Sequence, residues 1–241
     1  MKNSKKLLKM MVLSMLVALG VVISPLLRVE GMCPMAHFIN VVCSVLLGPW
    51  YSLLCAFLIG IIRMTTMAIP PIALTGAIFG AFLSGVFYRV SKGNLLMAVF
   101  GEVIGTGIIG AILSYPVMSL LWGKNGLSWL FYVPSFICGT LIGGSIAFFF
   151  LKKLSNSGTL SRFQNMLGSS GYTDNTGLLG NSVTICAVGV IIFVCTSLAK
   201  SIFSLTSAVW SYLGYISLFV FIIIAIIYLI VSLTRRGKNE N

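Results

Sequence analysis

Apolar runs of membrane-crossing length, broken at Pro, Gly and charged residues, set the pattern of this chain. A helix that spans a bilayer needs about 20 mostly apolar residues. The first such run extends from about Leu7 to Leu27 and closes at Pro25, ahead of Arg28, Glu30 and Gly31. A second, Met35 to Leu47, is cut short by Gly48-Pro49 and must either tilt or lean on neighbouring protein. Trp50 to Met64 makes a third, stopped before Pro70-Pro71. Ile72 to Tyr88, Leu95 to Leu121 and Leu127 to Leu151 follow as the fourth, fifth and sixth. A stretch rich in Ser, Gly, Asn and Thr then reads as a flexible linker over residues 155–182. Two further apolar runs, about Val183 to Leu205 and Val209 to Leu233, complete the layout. The expected fold class is an all-α integral membrane protein. Its parts are a six-helix domain over 1–154, the polar linker over 155–182, and a two-helix membrane hairpin with a basic tail over 183–241.

Composition supports lipid as the solvent. Of 241 residues, 58% are hydrophobic and 8% charged, with a mean hydropathy of +1.06. Soluble domains carry about a quarter charged residues. The net charge of +12 raises the question of nucleic acid, but its distribution excludes that partner. Lys2, Lys5, Lys6 and Lys9 cluster at the start, Lys152, Lys153 and Arg162 mid-chain, and Arg235, Arg236 and Lys238 at the end, each group against an apolar run. Lys and Arg resist translocation, so these clusters mark cytoplasmic flanks. Alternation from a cytoplasmic start puts Arg89, Lys92, Lys152 and Lys153 inside, and Arg28, Glu30 and Lys124 outside. Both termini and the linker are then cytoplasmic, and Trp210, Tyr212 and Tyr215 fall in an outer interfacial belt. The first run is too long for a signal-peptide core and lacks a small-residue cleavage site. The six cysteines form no CxxC pair and lie mostly in apolar runs, which argues against a disulfide framework or a zinc site.

Catalytic equipment does not emerge from the sequence. Gly105-Thr-Gly107-Ile-Ile-Gly110 matches the dinucleotide fingerprint, but that motif needs a preceding strand and an exposed helix start. Here it lies inside an apolar helix, where glycines serve packing. HExxH, Walker A, GxSxG and acidic metal clusters are missing from the sequence, so no enzyme activity, cofactor or metal is expected.

Glu102 is the one acid well inside an expected span, where an unpaired charge costs roughly 2.5 kcal/mol or more. It is paired, neutralised or exposed to a polar cavity. Arg63 is the ion-pair candidate, and Thr106, at i+4, shares the face of Glu102. His37 and Asn40, three apart, share a face of the second helix and suggest a polar pocket there. Tyr115, Trp129, Phe131 and Tyr132 form either an aromatic belt or the wall of a site for a small aromatic solute. Small residues recur at four-residue spacing, in Ser14 and Ala18, Gly76 and Gly80, Gly101 and Gly105, and Gly139 and Gly143. Such pairs let helix backbones approach in lipid. The first pair is a candidate contact for a partner protein.

Several of these residues together resemble the ThiW family. The resemblance rests on Leu19-Gly20-Val21-Val22-Ile23-Ser24-Pro25, then His37-Phe-Ile-Asn40, then Leu47-Gly48-Pro49-Trp50. It continues through Arg63, Gly101-Glu-Val-Ile-Gly-Thr-Gly-Ile-Ile-Gly110 and Ser114-Tyr-Pro116, and covers about residues 7 to 153. It implies a six-helix S component, the substrate-capturing subunit of an energy-coupling-factor transporter in a bacterial plasma membrane, acting on the thiazole precursor of thiamine. The implied partners are a coupling transmembrane subunit and two cytoplasmic ABC-type ATPases. Ser14 and Ala18 map onto the face that meets the coupling subunit, with Ser14 where the family more usually has Ala. His37, Asn40, Glu102, Thr106, Tyr115, Trp129 and Tyr132 are the candidate hydroxyethylthiazole site. The closing linker and hairpin have no counterpart in the family pattern. Thiamine or a pyrimidine precursor would suit the same inventory. A non-transporting membrane scaffold and a secondary transporter driven through Glu102 remain the readings from other classes, the latter weakened by the lack of an internal repeat.

Overall fold

A computed structural model of the protein describes residues 2–27, 32–169, 171–172, 176–202 and 208–239. Arg28, Glu30 and Gly31, placed by the sequence in the first loop, lie outside the described residues, as do the side chains of Lys2, Arg235, Arg236 and Lys238. Every regular element among the described residues is helical. The first unit holds α1 (Lys2–Leu26), α2 (Pro34–Leu47), α3 (Pro49–Met67), α4 (Ile72–Val90), α5 (Leu95–Leu121), α6 (Val133–Asn156) and a short α7 (Thr159–Leu167). The second holds α8 (Gly177–Ile202) and α9 (Ala208–Asn239). Seven of these helices are long and apolar enough to cross a membrane, so the chain is an all-α, multi-pass membrane protein.

The short α2 is supported by its neighbours. It has 14 residues, ten of them buried, and it touches α1, α3, α4, α5 and α6. Gly48 ends it at φ +92, a backbone conformation that glycine adopts without strain. Pro49 then opens α3, where its missing N–H costs nothing. A Cβ on Gly48 would collide with the Arg89 guanidinium, which covers this turn.

Two elements depart from the apolar pattern. The sixth long helix begins at Val133, not near Leu127. Gly123 and Gly126 adopt φ +69 and +78, and the chain turns until Pro134 can start a helix. The second departure is the expected flexible linker, whose first part is the docked helix α7. Leu160, Gln164 and Leu167 recur at helical spacing and are buried against the bundle. Gln164 Nε2 donates to Val45 O at 3.0 Å and to Tyr88 Oη at 3.1 Å, and Ser169 Oγ donates to Leu46 O at 2.7 Å. Polar composition concealed this helix, because the residue at the centre of its buried face, Gln164, is itself polar.

In the second unit α8 and α9 form an antiparallel pair. A Cβ on Gly189 would lie 2.6 Å from Phe221 Cβ, and the Phe193 and Tyr215 rings stand 5.3 Å apart. Among its described residues α9 exposes many Ile, Val, Leu and Phe side chains, a surface suited to lipid tails.

Candidate functional site

Glycines decide where Glu102 sits. On α5, a Cβ on Gly101 would lie 2.6 Å from Leu83 O, and one on Gly105 2.5 Å from Gly80 Cα. Without those side chains, the α4 and α5 backbones close on one another, and Glu102, fully buried, is drawn into the seam. Gly80 leaves the space it occupies, since a Cβ there would stand 2.6 Å from Glu102 Oε2 and collide with Thr106 Oγ1. The glycine fingerprint of the sequence is therefore a packing seam. From Val103 to Gly110 the helix takes π geometry, and it does so again from Val117 to Leu121 after Pro116, which has no N–H to give.

Three donors converge on one carboxylate oxygen. His37 Nδ1 lies 2.9 Å from Glu102 Oε1, Asn40 Nδ2 donates to it at 3.0 Å, and Thr106 Oγ1 at 3.1 Å. The three-residue spacing of His37 and Asn40 on α2 aims both at the same acceptor. A buried carboxyl group costs several kcal/mol unless it is paired and hydrogen-bonded, and these donors offset that cost. Oε2 has no hydrogen-bond partner. With its hydrogen on Nδ1, the neutral His37 ring keeps Nε2 as an acceptor. The ring rests on α6, where a Cβ on Gly139 would come 3.3 Å from Nε2 and one on Gly143 2.9 Å from His37 Cβ.

A cavity of about 380 Å³ opens beside this cluster, at the end of the bundle where α2, α4 and α6 begin. Small-molecule sites measure roughly 300–1,000 Å³. His37 and Thr106 line it, with Arg63, Lys124, Tyr132 and Phe136. Glu102 stands behind His37 and Thr106 and holds both through hydrogen bonds, and Asn40 in turn donates to Glu102. Burial raises the pKa of the Tyr132 phenol, which keeps it a neutral hydroxyl.

Three expected placements change. Arg63 is not the partner of Glu102, which His37 meets instead at 2.9 Å. Arg63 is 5% exposed, its Nη2 reaches Cys33 Sγ at 3.7 Å, and its Nε has no partner among the described residues. It sits near the far end of α3, level with the start of α2 and not with the α4–α5 seam. Tyr115 and Trp129 do not line the cavity; their rings pack on each other at 4.5 Å. Ser114 is the residue that α5 turns inward, bonded to Thr75 Oγ1 at 2.7 Å, so Tyr115 beside it points elsewhere. Trp129 belongs to the turn before α6 and is 56% exposed. Of the aromatic candidates, Tyr132 alone reaches the cavity, accompanied by Phe136, which the sequence reading passed over along with Cys33 and Lys124. Cys33 stands four residues before His37 and Phe136 four after Tyr132, at helix-face spacing. Lys124 carried no such signal.

Ser14 and Ala18 are both exposed on α1, with Met11 and Met15 beside them. Nothing in the first unit covers that stripe of small and flexible side chains.

The family model for the thiamine-precursor transporter protein (ThiW) matches residues 10–157. The chain belongs to the ThiW family. No curated protein and no solved structure matches it. The ThiW match begins within α1 and ends just after α6, so it takes in every helix that lines the cavity. Membership makes the chain a component of thiamine-precursor transport. Helix α7 and the α8–α9 pair lie beyond the ThiW match.

Proposed function

We propose that the chain is the substrate-capturing membrane subunit of an energy-coupling-factor transporter, and that its cavity takes hydroxyethylthiazole for ATP-driven uptake by partner subunits. The observation that carries this is the roughly 380 Å³ cavity with its aromatic side and polar floor, in a chain of the ThiW family. The thiazole ring offers a flat apolar face and one ring nitrogen, suited to Phe136 and to a hydrogen-bonding partner among Tyr132 and Thr106. His37 Nε2 is available to accept from the hydroxyethyl arm. Asn40 and Glu102 act as positioning residues, holding His37 and Thr106 in place. The sequence has no Walker A motif, so ATP hydrolysis falls to two cytoplasmic ABC-type ATPases, joined through a coupling subunit that docks on the Ser14–Ala18 face of α1.

The end of the bundle carrying Lys5, Lys6, Arg89, Lys92, Lys152, Lys153 and Arg162 is the cytoplasmic one in this reading. The cavity, at the opposite end, then opens to the outside of a bacterial plasma membrane. A single cysteine at Ser157, in a cysteine-free background, should label only after the membrane is permeabilised; labelling of intact cells would reverse the orientation.

Calorimetric titration of the purified chain with hydroxyethylthiazole, paired with liposome uptake with and without the coupling module, tests the function. The expected result is binding by the chain alone and accumulation only with the module and ATP. Accumulation by the chain alone would instead identify a secondary transporter, and failure to bind would remove the capture role.

A further inference from the structure

Two buried side chains in the cavity wall, Arg63 and Tyr132, each carry a polar group that finds no partner among the described residues. Arg63 is 95% buried by its 5% exposure, yet its Nε has no hydrogen-bond partner, and its Nη2 meets only the weak acceptor Cys33 Sγ at 3.7 Å. Tyr132 is 9% exposed, and its hydroxyl is likewise unpartnered. Lys124, exposed at the cavity mouth, adds a second cation to the same lining. Among the described residues, the one carboxylate near the site is Glu102, and it is engaged by His37, Asn40 and Thr106. Among the described residues, the lining therefore carries two cations and no acid of its own. Buried polar groups are nearly always satisfied in native proteins, and a guanidinium left without an anion costs more than a neutral group would. An arginine fork is also the geometry that takes two oxygens of a carboxylate or phosphate at once.

We propose that Arg63, with Lys124 and the Tyr132 hydroxyl, forms an anion-binding subsite, so that the solute taken up carries anionic oxygens on a short arm. A phosphate ester or a carboxylate of the thiazole is then preferred over the neutral alcohol. The cavity is polarised: an anionic arm goes to Arg63 near the end of α3, unlike the neutral hydroxyl that His37 accepts from, and the ring lies toward Phe136. This deepens the proposed capture of a thiazole precursor and rests on that reading for the ring, though not for the anionic arm.

The test is calorimetric titration of the purified full chain in detergent with three probes: hydroxyethylthiazole, its phosphate monoester, and methylthiazole carboxylate. At least one anionic probe should bind roughly tenfold or more tightly than the alcohol, as expected for one charge-assisted contact. Arg63→Gln should abolish that preference, weakening the anion roughly tenfold or more beyond any loss for the alcohol. Lys124→Ala, at an exposed position, should reduce the preference severalfold, and it keeps the test decisive if Arg63→Gln does not fold. Which anionic probe wins distinguishes phosphate from carboxylate. An alcohol that binds as tightly as both anions, or a preference unmoved by both substitutions, would overturn the subsite and leave thiazole capture standing. Tight, Arg63-dependent anion binding with no binding of the alcohol would uphold the subsite and remove the neutral precursor as substrate. Failure of all three probes would overturn both.

Discussion

Replacing Gly80 by alanine probes the site through a single methyl group. The position is helical, so alanine is favoured over glycine there by about 1 kcal/mol on propensity alone. Against that stands the geometry. The new Cβ would be 2.6 Å from Glu102 Oε2 and 2.8 Å from its Cδ, where real Cβ contacts essentially never fall under 3.0 Å, and it would overlap Thr106 Oγ1 more severely. Neither neighbour retreats easily. Thr106 and Glu102 hang on an α5 backbone that already touches α4, since a Cβ on Gly105 would come within 2.5 Å of Gly80 Cα. Overpacking of this kind costs about 1–3 kcal/mol, so the net expectation is a destabilisation of about 1–2 kcal/mol after the propensity gain. Displacing Oε1 by several tenths of an ångström also weakens its hold on His37. Loss of one such bond, at about 1.4 kcal/mol, lowers ligand affinity about tenfold. Thermal unfolding and calorimetric titration with hydroxyethylthiazole, on the same preparation, measure the two effects. Gly107→Ala is the comparator, because its Cβ would meet Ile137 Cγ1 at 3.0 Å and no carboxylate, and it should keep wild-type affinity. Wild-type stability and affinity in Gly80→Ala would refute the idea that this seam sets the position of Glu102.

Glu102→Gln keeps an acceptor for His37, Asn40 and Thr106 but puts an amide NH2 where Oε2 has no partner, so stability should fall by about 1–3 kcal/mol and affinity severalfold. A melting temperature and affinity equal to wild type would count against the site. Gln164→Leu removes the bonds to Val45 O and Tyr88 Oη; limited proteolysis within residues 155–172 should accelerate, and an unchanged cleavage rate would show that α7 is held by other contacts. Ser14→Trp or Ala18→Trp should abolish assembly with the coupling subunit while ligand affinity stays at the wild-type level. Intact assembly would move the partner face elsewhere.

The long helices were legible because their signal is length and apolarity, which lipid enforces residue by residue. Glu102, His37, Asn40 and Thr106 were legible as a group for a related reason. Polar residues are costly at membrane depth, and helical spacing alone aligns His37 with Asn40 and Glu102 with Thr106. What spacing does not encode is which helix faces which. Arg63 and Glu102 are opposite charges, but α2 supplies Glu102 with a closer partner in His37, and Arg63 stands at another level. Tyr115 and Trp129 have the right chemistry for a ring wall, and their direction is set by the inward turn of Ser114 and by the delayed start of α6 at Val133. Helix α7 was hidden for the opposite reason: its composition is polar, and only the spacing of Leu160, Gln164 and Leu167 marks a buried face.

The lopsided bonding of Glu102 gives this protein a built-in spectroscopic reporter. One oxygen accepts three hydrogens and the other accepts none, so its two carbon–oxygen bonds differ in strength and their stretching bands should be separated. The chain has only four acidic side chains, so few other carboxylate bands compete once a difference spectrum has cancelled the backbone amide absorption. A solute that pulls on His37 or Thr106 redistributes hydrogens around Oε1 and moves those bands. Difference spectra recorded with and without solute, with Glu102→Gln to assign them, would then follow occupancy of the site in an intact bilayer without any label.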